Sequence, residues 1–343
     1  MSRNLARTIQ NWMLPVAIVL GISLYLAYRG LPFLHPAGHT LHWIASEGQR
    51  TVIALLLFFQ FVKVSPHDLQ PRKWHIYTLL FQVVTFLALA AVTVFAKSTV
   101  GRILLECAML CLICPTAAAA GVVTEKLGGS LAETITYVVI INVAATFLIP
   151  MVIPLVRPSA ELGFWAYVGH IALKIFPVLI LPAIVAWTIR YTTHKLQRIL
   201  MRLSRYTFYI WGVGLTLAMV LATRALILSN LPLGAVALVV AVSMAACALQ
   251  FAYGRFIGRR LAKGNDAVNA RSGKALGEEA ECTTVGQAMG QKNTGFLIWL
   301  GYNYMTPVTS VAGGLYAIWQ NLFNSWELYR KGRADARAAR TAK

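Results

Sequence analysis

Two apolar stretches of this chain are interrupted by residues that break helices, one in each half of the sequence. In the first, Cys114 and Pro115 are followed by a run of small residues that ends at Gly121; the second, residues 286–295, contains Gly290. Proline and glycine both disfavour the interior of a helix. At membrane depth a broken helix is tolerated only where the freed backbone groups are buried in protein or line a polar cavity. Paired breaks of this kind predict a substrate or ion site between two discontinuous membrane helices.

The composition favours a membrane protein over a soluble one. Hydrophobic residues make up 58% of the 343 positions and charged residues only 13%, which is more apolar surface than a compact soluble core buries. A helix needs about 20 apolar residues to cross the roughly 30 Å hydrocarbon core of a bilayer. The sequence therefore predicts an all-α membrane protein with ten transmembrane helices, near residues 11–29, 50–64, 74–96, 101–126, 130–156, 163–190, 207–229, 233–256, 282–303 and 306–327.

The distribution of positive charge predicts the orientation of these helices. Alternating the loops between the two sides of the membrane places 23 of the 31 Lys and Arg residues on the side of both termini and six on the other, with Lys174 and Lys292 inside predicted spans. Because cytoplasmic loops are enriched in Lys and Arg, both termini are predicted to be cytoplasmic, in a bacterial inner membrane. The asymmetry also explains the net charge of +19 without nucleic acid as a partner.

The predicted spans divide into two sets of five, residues 11–156 and 163–327, with the interrupted helix fourth in each set. A repeat with an odd number of spans runs in the opposite orientation in its second copy, so the pattern predicts two inverted five-helix repeats. Residues 1–327 are expected to form a single transmembrane unit, and residues 328–343 a basic cytoplasmic tail.

Five short motifs resemble those of the bile acid:sodium symporter family, in the family's order and over residues 50–325. They are Val62-Lys-Val-Ser-Pro-His-Asp-Leu69, Gln82 in the third predicted span, Cys114-Pro115, Lys292-Asn-Thr-Gly295, and Ala317-Ile-Trp-Gln-Asn-Leu322. The resemblance implies a core domain of spans 3–5 and 8–10, in which the broken fourth and ninth helices cross, and a panel domain of spans 1, 2, 6 and 7. It also implies symport of sodium with an organic anion such as a bile acid, a keto acid or a pantothenate-like acid.

The residues at the family's sodium sites have changed in this chain. The resemblance implies a sodium-binding glutamate where this chain has Ala288, and a glutamine where it has Lys292. Two unit charges 4 Å apart interact by roughly 4 kcal/mol at an effective dielectric constant of about 20, so a fixed ammonium repels sodium. We therefore expect sodium-independent transport, with no cofactor. The positions equivalent to the ion sites are Gln82, Ala120, Gly121, Thr134, Val138, Ala288 and Lys292.

Lys292 is a functional candidate, because a lysine in the middle of a membrane helix costs about 2.5–3.5 kcal/mol on insertion. In a first interpretation its ammonium replaces sodium and binds the C-terminal carbonyls of the two half-helices, where the helix dipoles are negative. In a second it loses and regains a proton during transport; in a third it is the counter-ion of a substrate carboxylate. Glu133 is the first candidate to pair with Lys292, and Glu125 the second.

The polar cleft residues of the family map to Asn293, Gln320 and Asn321, which are the candidate substrate-binding residues. Gln320 and Asn321 stand where the family has His-Asn, so the resemblance keeps the amide contact but not the titratable one. An asparagine or glutamine at membrane depth can instead satisfy the backbone of a neighbouring helix. Both roles are open at this point.

Two other functions fit parts of the pattern. An arsenite-efflux permease of the same general fold would use a cysteine at Cys114, although Pro115 and the flanking alanines match the bile acid family better. A membrane ligand sensor would bind an anion without transporting it. Motifs typical of catalysis were not found, and Cys111-x-x-Cys114 lacks a second pair of metal ligands. We therefore expect neither an enzyme nor a metal site, and a small organic anion and the lipid bilayer as partners.

Overall fold

The computed structural model describes residues 3–262 and 277–341 of the chain. The regular elements of these residues are all helices, as predicted. Residues 263–276, in the predicted connection between the eighth and ninth spans, lie outside the described residues. The α-helices are α1 (Arg3–Gly30), α2 (Gly38–Lys63), α3 (Lys73–Phe95), α4 (Thr99–Ile113), α5 (Ala120–Lys126), α6 (Leu131–Val156), α7 (Phe164–Leu179), α8 (Leu181–Thr192), α9 (His194–Leu203), α10 (Thr207–Ser229), α11 (Leu233–Ala262), α12 (Glu278–Gly290), α13 (Thr294–Tyr304) and α14 (Ser310–Thr341).

Several described helices are suited to a lipid bilayer. Large apolar side chains are exposed on the outside of the protein; Phe95, Leu173 and Leu233 are 81%, 76% and 85% exposed. A soluble monomer rarely exposes apolar surface on this scale, so the helices fit a multi-pass membrane protein. Four helical segments are long and apolar enough to cross a membrane, and counting each of two bent helix pairs as one span gives six; the four are Lys73–Phe95, Leu131–Val156, His194–Ser229 and Leu233–Leu261.

The number of single helices that can span differs from the ten spans predicted. The fourth and ninth predicted spans are each divided, into α4 with α5 and α12 with α13, and these helices have only 15, 7, 13 and 11 residues. Each is too short to cross about 30 Å of hydrocarbon alone. Ten spans and inverted repeats therefore stay predictions. The last helix, α14, continues beyond residue 327, so the basic tail begins as a helical extension.

The helices pack into two groups that meet along one side. The first group consists of α1, α2, α7, α8 and α10, and the second of α3 to α6 and α11 to α14. The groups touch where α10 packs against α13 and α14, where α2 packs against α13, and where α6 packs against α7. Both interrupted helices therefore belong to the second group, and α13 faces the first.

Candidate functional site

The two interrupted helices meet at their breaks. α4 and α5 are separated by residues 114–119, and α12 and α13 by residues 291–293. These two non-helical segments form an isolated antiparallel bridge between Thr116 and Lys292. We call this meeting point the crossing. It brings together the two sequence features that predicted a site.

Backbone hydrogen bonds hold the crossing together. The N–H of Ala117 donates to the carbonyl of Gln291 at 2.9 Å. The N–H of Asn293 donates to the carbonyl of Pro115 at 2.8 Å, and Cys114 Sγ donates to the carbonyl of Asn293 at 3.2 Å. Pro115 explains why the first helix ends here, because the residue before a proline is disfavoured in the helical region. Cys114 accordingly has an extended ψ of 131°.

Side chains complete the hydrogen bonding of the second break. Thr116 Oγ1 donates to the carbonyl of Ala288 at 2.6 Å, and the Tyr316 hydroxyl donates to the carbonyl of Gly290 at 2.9 Å. Both carbonyls belong to the last turn of α12, where no further helical N–H is available to bond them. The protein thus supplies a donor for each of these two carbonyls.

The first break is completed in the same way. Gln82 Nε2 donates to the carbonyl of Leu112 at 2.5 Å, and Gln250 Nε2 donates to the carbonyl of Cys111 at 3.1 Å. The hydroxyl of Tyr137 in turn donates to Gln82 Oε1. Gln82, which the resemblance placed at an ion site, therefore bonds the end of α4 in this conformation.

Lys292 lies at the centre of the crossing and is 0% exposed. Its backbone is bonded on both sides by Gln320, whose Oε1 accepts from the N–H at 2.8 Å and whose Nε2 donates to the carbonyl at 3.3 Å. Its Nζ, in contrast, has no hydrogen-bond partner among the described residues. The thiols of Cys111, Cys114 and Cys247 lie near it. A buried amine without a hydrogen-bond partner is costly in either protonation state, so Lys292 needs an explanation.

The first interpretation of Lys292 stays a prediction, and the contact that it invokes is not among the hydrogen bonds of the described residues. It required the ammonium to bind the C-terminal carbonyls of the half-helices. Those carbonyls receive hydrogen bonds from Thr116, Tyr316 and Gln82 instead. Neutral hydroxyl and amide donors satisfy them without the desolvation cost of a buried charge.

Neither predicted acidic partner bonds the ammonium of Lys292. The buried carboxylate of Glu133 accepts a hydrogen bond from Trp74 Nε1 at 3.0 Å and lies 3.4 Å from Arg72 Nε. Glu125 is half-buried in α5 and makes no hydrogen bond to Lys292 Nζ. The pairing prediction failed because the first turn of α6, which carries Glu133, packs beside the start of α3 and not at the crossing.

The remaining positions carried over from the sodium sites serve packing and helix hydrogen bonding. Thr134 Oγ1 donates to the carbonyl of Ser130 at 2.8 Å, within its own helix. Gly121 packs tightly against α6, because a Cβ at this position would lie 2.8 Å from Leu131 Cδ1. The apolar positions in this set are all buried; they are Ala120, Val138 and Ala288.

The three candidate substrate residues also bond backbone groups. Asn293 is half-buried and caps α13, since its Oδ1 accepts from the N–H of Phe296 at 3.2 Å. Asn321, also half-buried, donates through Nδ2 to the carbonyl of Ala317 at 2.7 Å. Gln320 bonds the second break, as described above. Two surface recesses of about 240 and 430 Å³ are lined by none of these three residues.

Sequence reasoning missed Gln49, which lies where α2 of the first helix group approaches Gly295, close to the crossing. Gln49 lies in α2, is 1% exposed, and its Oε1 has no hydrogen-bond partner among the described residues. A Cβ at Gly295, in the first turn of α13, would lie only 2.7 Å from Gln49 Nε2, so a larger residue there would displace the end of the Gln49 side chain. Gln49 could have been found from the sequence, because a polar residue inside an apolar membrane helix is a functional candidate by default.

Comparison with known proteins does not identify a family. No protein-family model matches the chain, and no curated protein matches it significantly.

Proposed function

We propose that this protein is a secondary transporter of small organic anions that works by alternating access without sodium. It would have ten spans in two inverted repeats, with both termini in the cytoplasm of a bacterial cell. The second helix group would be the core domain, which holds the crossing, and the first would be the panel domain. This assignment is supported by the motifs that resemble the bile acid:sodium symporter family and by the meeting of the two broken helices.

The observation that carries the proposal is the unpaired, buried ammonium of Lys292. Two other buried charges among the described residues are paired. Glu106, which is 0% exposed, lies 2.7 Å from Arg157, and Glu327 lies 2.6 Å from Arg255. A lysine that has no such partner, at the centre of two broken helices, is suited to receive its counter-charge from a ligand.

A carboxylate is the chemical group that fits this requirement best. It carries one negative charge and accepts hydrogen bonds, so an ammonium binds it strongly where water is excluded. Gln49 of the first group and Asn293 of the second flank the route by which such a group could approach, because α2 and the start of α13 touch at Gly295. Separation of the two groups at this contact would expose the crossing to one side of the membrane at a time. Lys292 would then supply the positive charge that sodium supplies in the resembling family.

The test is uptake of radiolabelled organic acids by the full-length protein in proteoliposomes. Monocarboxylates, dicarboxylates and a bile acid would be compared with a neutral sugar of similar size. We expect saturable accumulation or exchange of at least one acid and none of the sugar. Binding of an acid without accumulation or exchange would contradict transport and favour a sensor.

A matched pair of variants tests the role of Lys292. Lys292→Met is expected to lose acid uptake, whereas Lys174→Met, which removes a half-buried lysine from α7, is expected to keep it. Uptake that requires a pH gradient and is lost in Lys292→Met would favour the proton-coupled interpretation. Uptake that persists in Lys292→Met would overturn the assignment of Lys292 as the counter-ion.

A further inference from the structure

Helix α9 has a basic face and an apolar face side by side, and most of their side chains are exposed in the described structure. No residue of α9 is buried. At 3.6 residues per turn, three cationic side chains share one face and three aliphatic ones share the adjacent face. The cationic residues are Lys195, Arg198 and Arg202, and the aliphatic ones are Leu196, Ile199 and Leu203, which are 39%, 52% and 43% exposed.

Chain connectivity places α9 between two apolar helices, α8 and α10. α8 ends at Thr192, and α9 begins two residues later; α10 begins at Thr207, four residues after α9 ends. A 3-10 turn, Ser204–Tyr206, joins α9 to α10, and the predicted topology puts this connection on the cytoplasmic side of the membrane. α9 also contacts α2 and α8, so it is attached to the first helix group.

The basic face of α9 has no acidic counterpart. No Asp or Glu occurs in the sequence between Glu161 and Asp266. Within the described residues, none of the ion pairs involves Lys195, Arg198 or Arg202. Three cations on one face without counter-ions are complementary to a negatively charged surface.

We propose that α9 lies in the membrane interface and binds the headgroups of anionic phospholipids. Its aliphatic face would enter the acyl boundary while Lys195, Arg198 and Arg202 contact lipid phosphates, as amphipathic basic helices do on anionic bilayers. This contact anchors the first helix group to the bilayer surface. The inference rests on membrane insertion and the geometry of α9, and not on transport.

The first experiment measures the unfolding temperature of the full-length protein in nanodiscs. We expect phosphatidylglycerol to raise the unfolding temperature relative to phosphatidylcholine alone, and added salt to reduce this rise. A triple variant, Lys195→Gln with Arg198→Gln and Arg202→Gln, is expected to lose more than half of the rise. Inorganic phosphate in phosphatidylcholine nanodiscs is expected to have no effect.

A control variant removes three positive charges from elsewhere on the predicted cytoplasmic side, by Lys126→Gln, Arg330→Gln and Arg333→Gln. It is expected to keep most of the rise. Equal losses in the two triple variants, a full rise in the α9 variant, or an equal effect of inorganic phosphate would each overturn the proposal.

A second experiment locates α9 even if the triple variant fails to fold. The native cysteines in the described residues are all buried, so an exposed engineered cysteine can be labelled selectively with a fluorophore. We expect brominated lipids to quench a label at Ile199→Cys strongly and one at Arg198→Cys weakly. Equal quenching at both positions would show that α9 does not lie with its apolar face in the bilayer.

Discussion

The two helix breaks differ in what they leave unsatisfied. At the first break, the end of α4 is bonded by amide groups from α3 and α11, and the small residues that follow are packed against α6. At the second break, the end of α12 is bonded equally well, yet the ammonium of Lys292 has no hydrogen-bond partner among the described residues. Hydrogen bonds from other parts of the protein therefore satisfy backbone carbonyls at both breaks. The unpaired ammonium is additional, so the second break is where we expect ligand chemistry.

Replacement of Lys292 should have the largest effect on function and no cost in stability. Loss of one partner of a buried charge pair costs about 3 kcal/mol, which corresponds to a roughly 100-fold weaker apparent affinity for the anion. Without its ligand the buried amine of Lys292 has no hydrogen-bond partner among the described residues, which is costly for either protonation state. Lys292→Met should therefore raise the free energy of unfolding by about 1–3 kcal/mol in the absence of substrate. Uptake and thermal unfolding of the same preparation measure both effects, and a destabilised Lys292→Met would argue for a structural lysine.

Replacement of a paired buried charge should show the reverse pattern. Glu106 lies 2.7 Å from Arg157 Nε and accepts the N–H of Thr306 at 3.0 Å. Glu106→Gln should lower the free energy of unfolding by about 2–3 kcal/mol, because a hydrogen-bonded charge is lost while Arg157 remains. Uptake per folded molecule should not change. The matched control is Glu47→Gln, which removes a partly exposed pair with Arg50 and should cost at most about 1 kcal/mol.

The hydroxyl of Tyr316 tests whether neutral donors hold the second break. It donates to the carbonyl of Gly290 at 2.9 Å and accepts from Gln250 Nε2 at 2.9 Å, fully buried. Tyr316→Phe removes the hydroxyl donor of the Gly290 carbonyl, while Gln250 Nε2 keeps its bond to Cys111, and should cost about 1–2 kcal/mol in thermal unfolding. Asn321→Ala is the control, because its amide bonds only its own helix, and we expect a loss near 0.5 kcal/mol. Equal losses would mean that Tyr316 has no special role at the break.

The positions of the breaks could be predicted from sequence, because their causes are local. Pro115 ends α4 through its effect on Cys114, and Gly290 is the last residue of α12. That the two breaks would meet did not follow from composition or spacing. It was expected from the resemblance, and the bridge between Thr116 and Lys292 is consistent with that expectation.

The partners at the crossing could not be predicted, because they come from distant parts of the chain. Thr116 bonds a carbonyl 172 positions away, and Gln250 one that is 139 positions away. Glu133 was chosen as the partner of Lys292 from sequence alone, but the choice depended on the depth of the first turn of α6, which only packing decides. Gln49 was missed because its importance comes from contact with Gly295, in a different helix group.

The smallest expected effect is that of sodium, and it tests the difference between the two breaks most directly. The first break has apolar residues at Ala120 and Gly121, and the second has Ala288 and a buried cation at Lys292, so neither offers the oxygen ligands that a hard cation prefers. We expect uptake in sodium buffer and in choline buffer to agree within experimental error. The unfolding temperature should likewise be the same in sodium buffer and in choline buffer, because only an ion that binds the folded state raises its stability. The contrary result would be strong stimulation of wild-type uptake by sodium that disappears in Gln82→Ala. It would mean that the Gln82 amide leaves the carbonyl of Leu112 to bind sodium, and that Lys292 does not take the place of sodium.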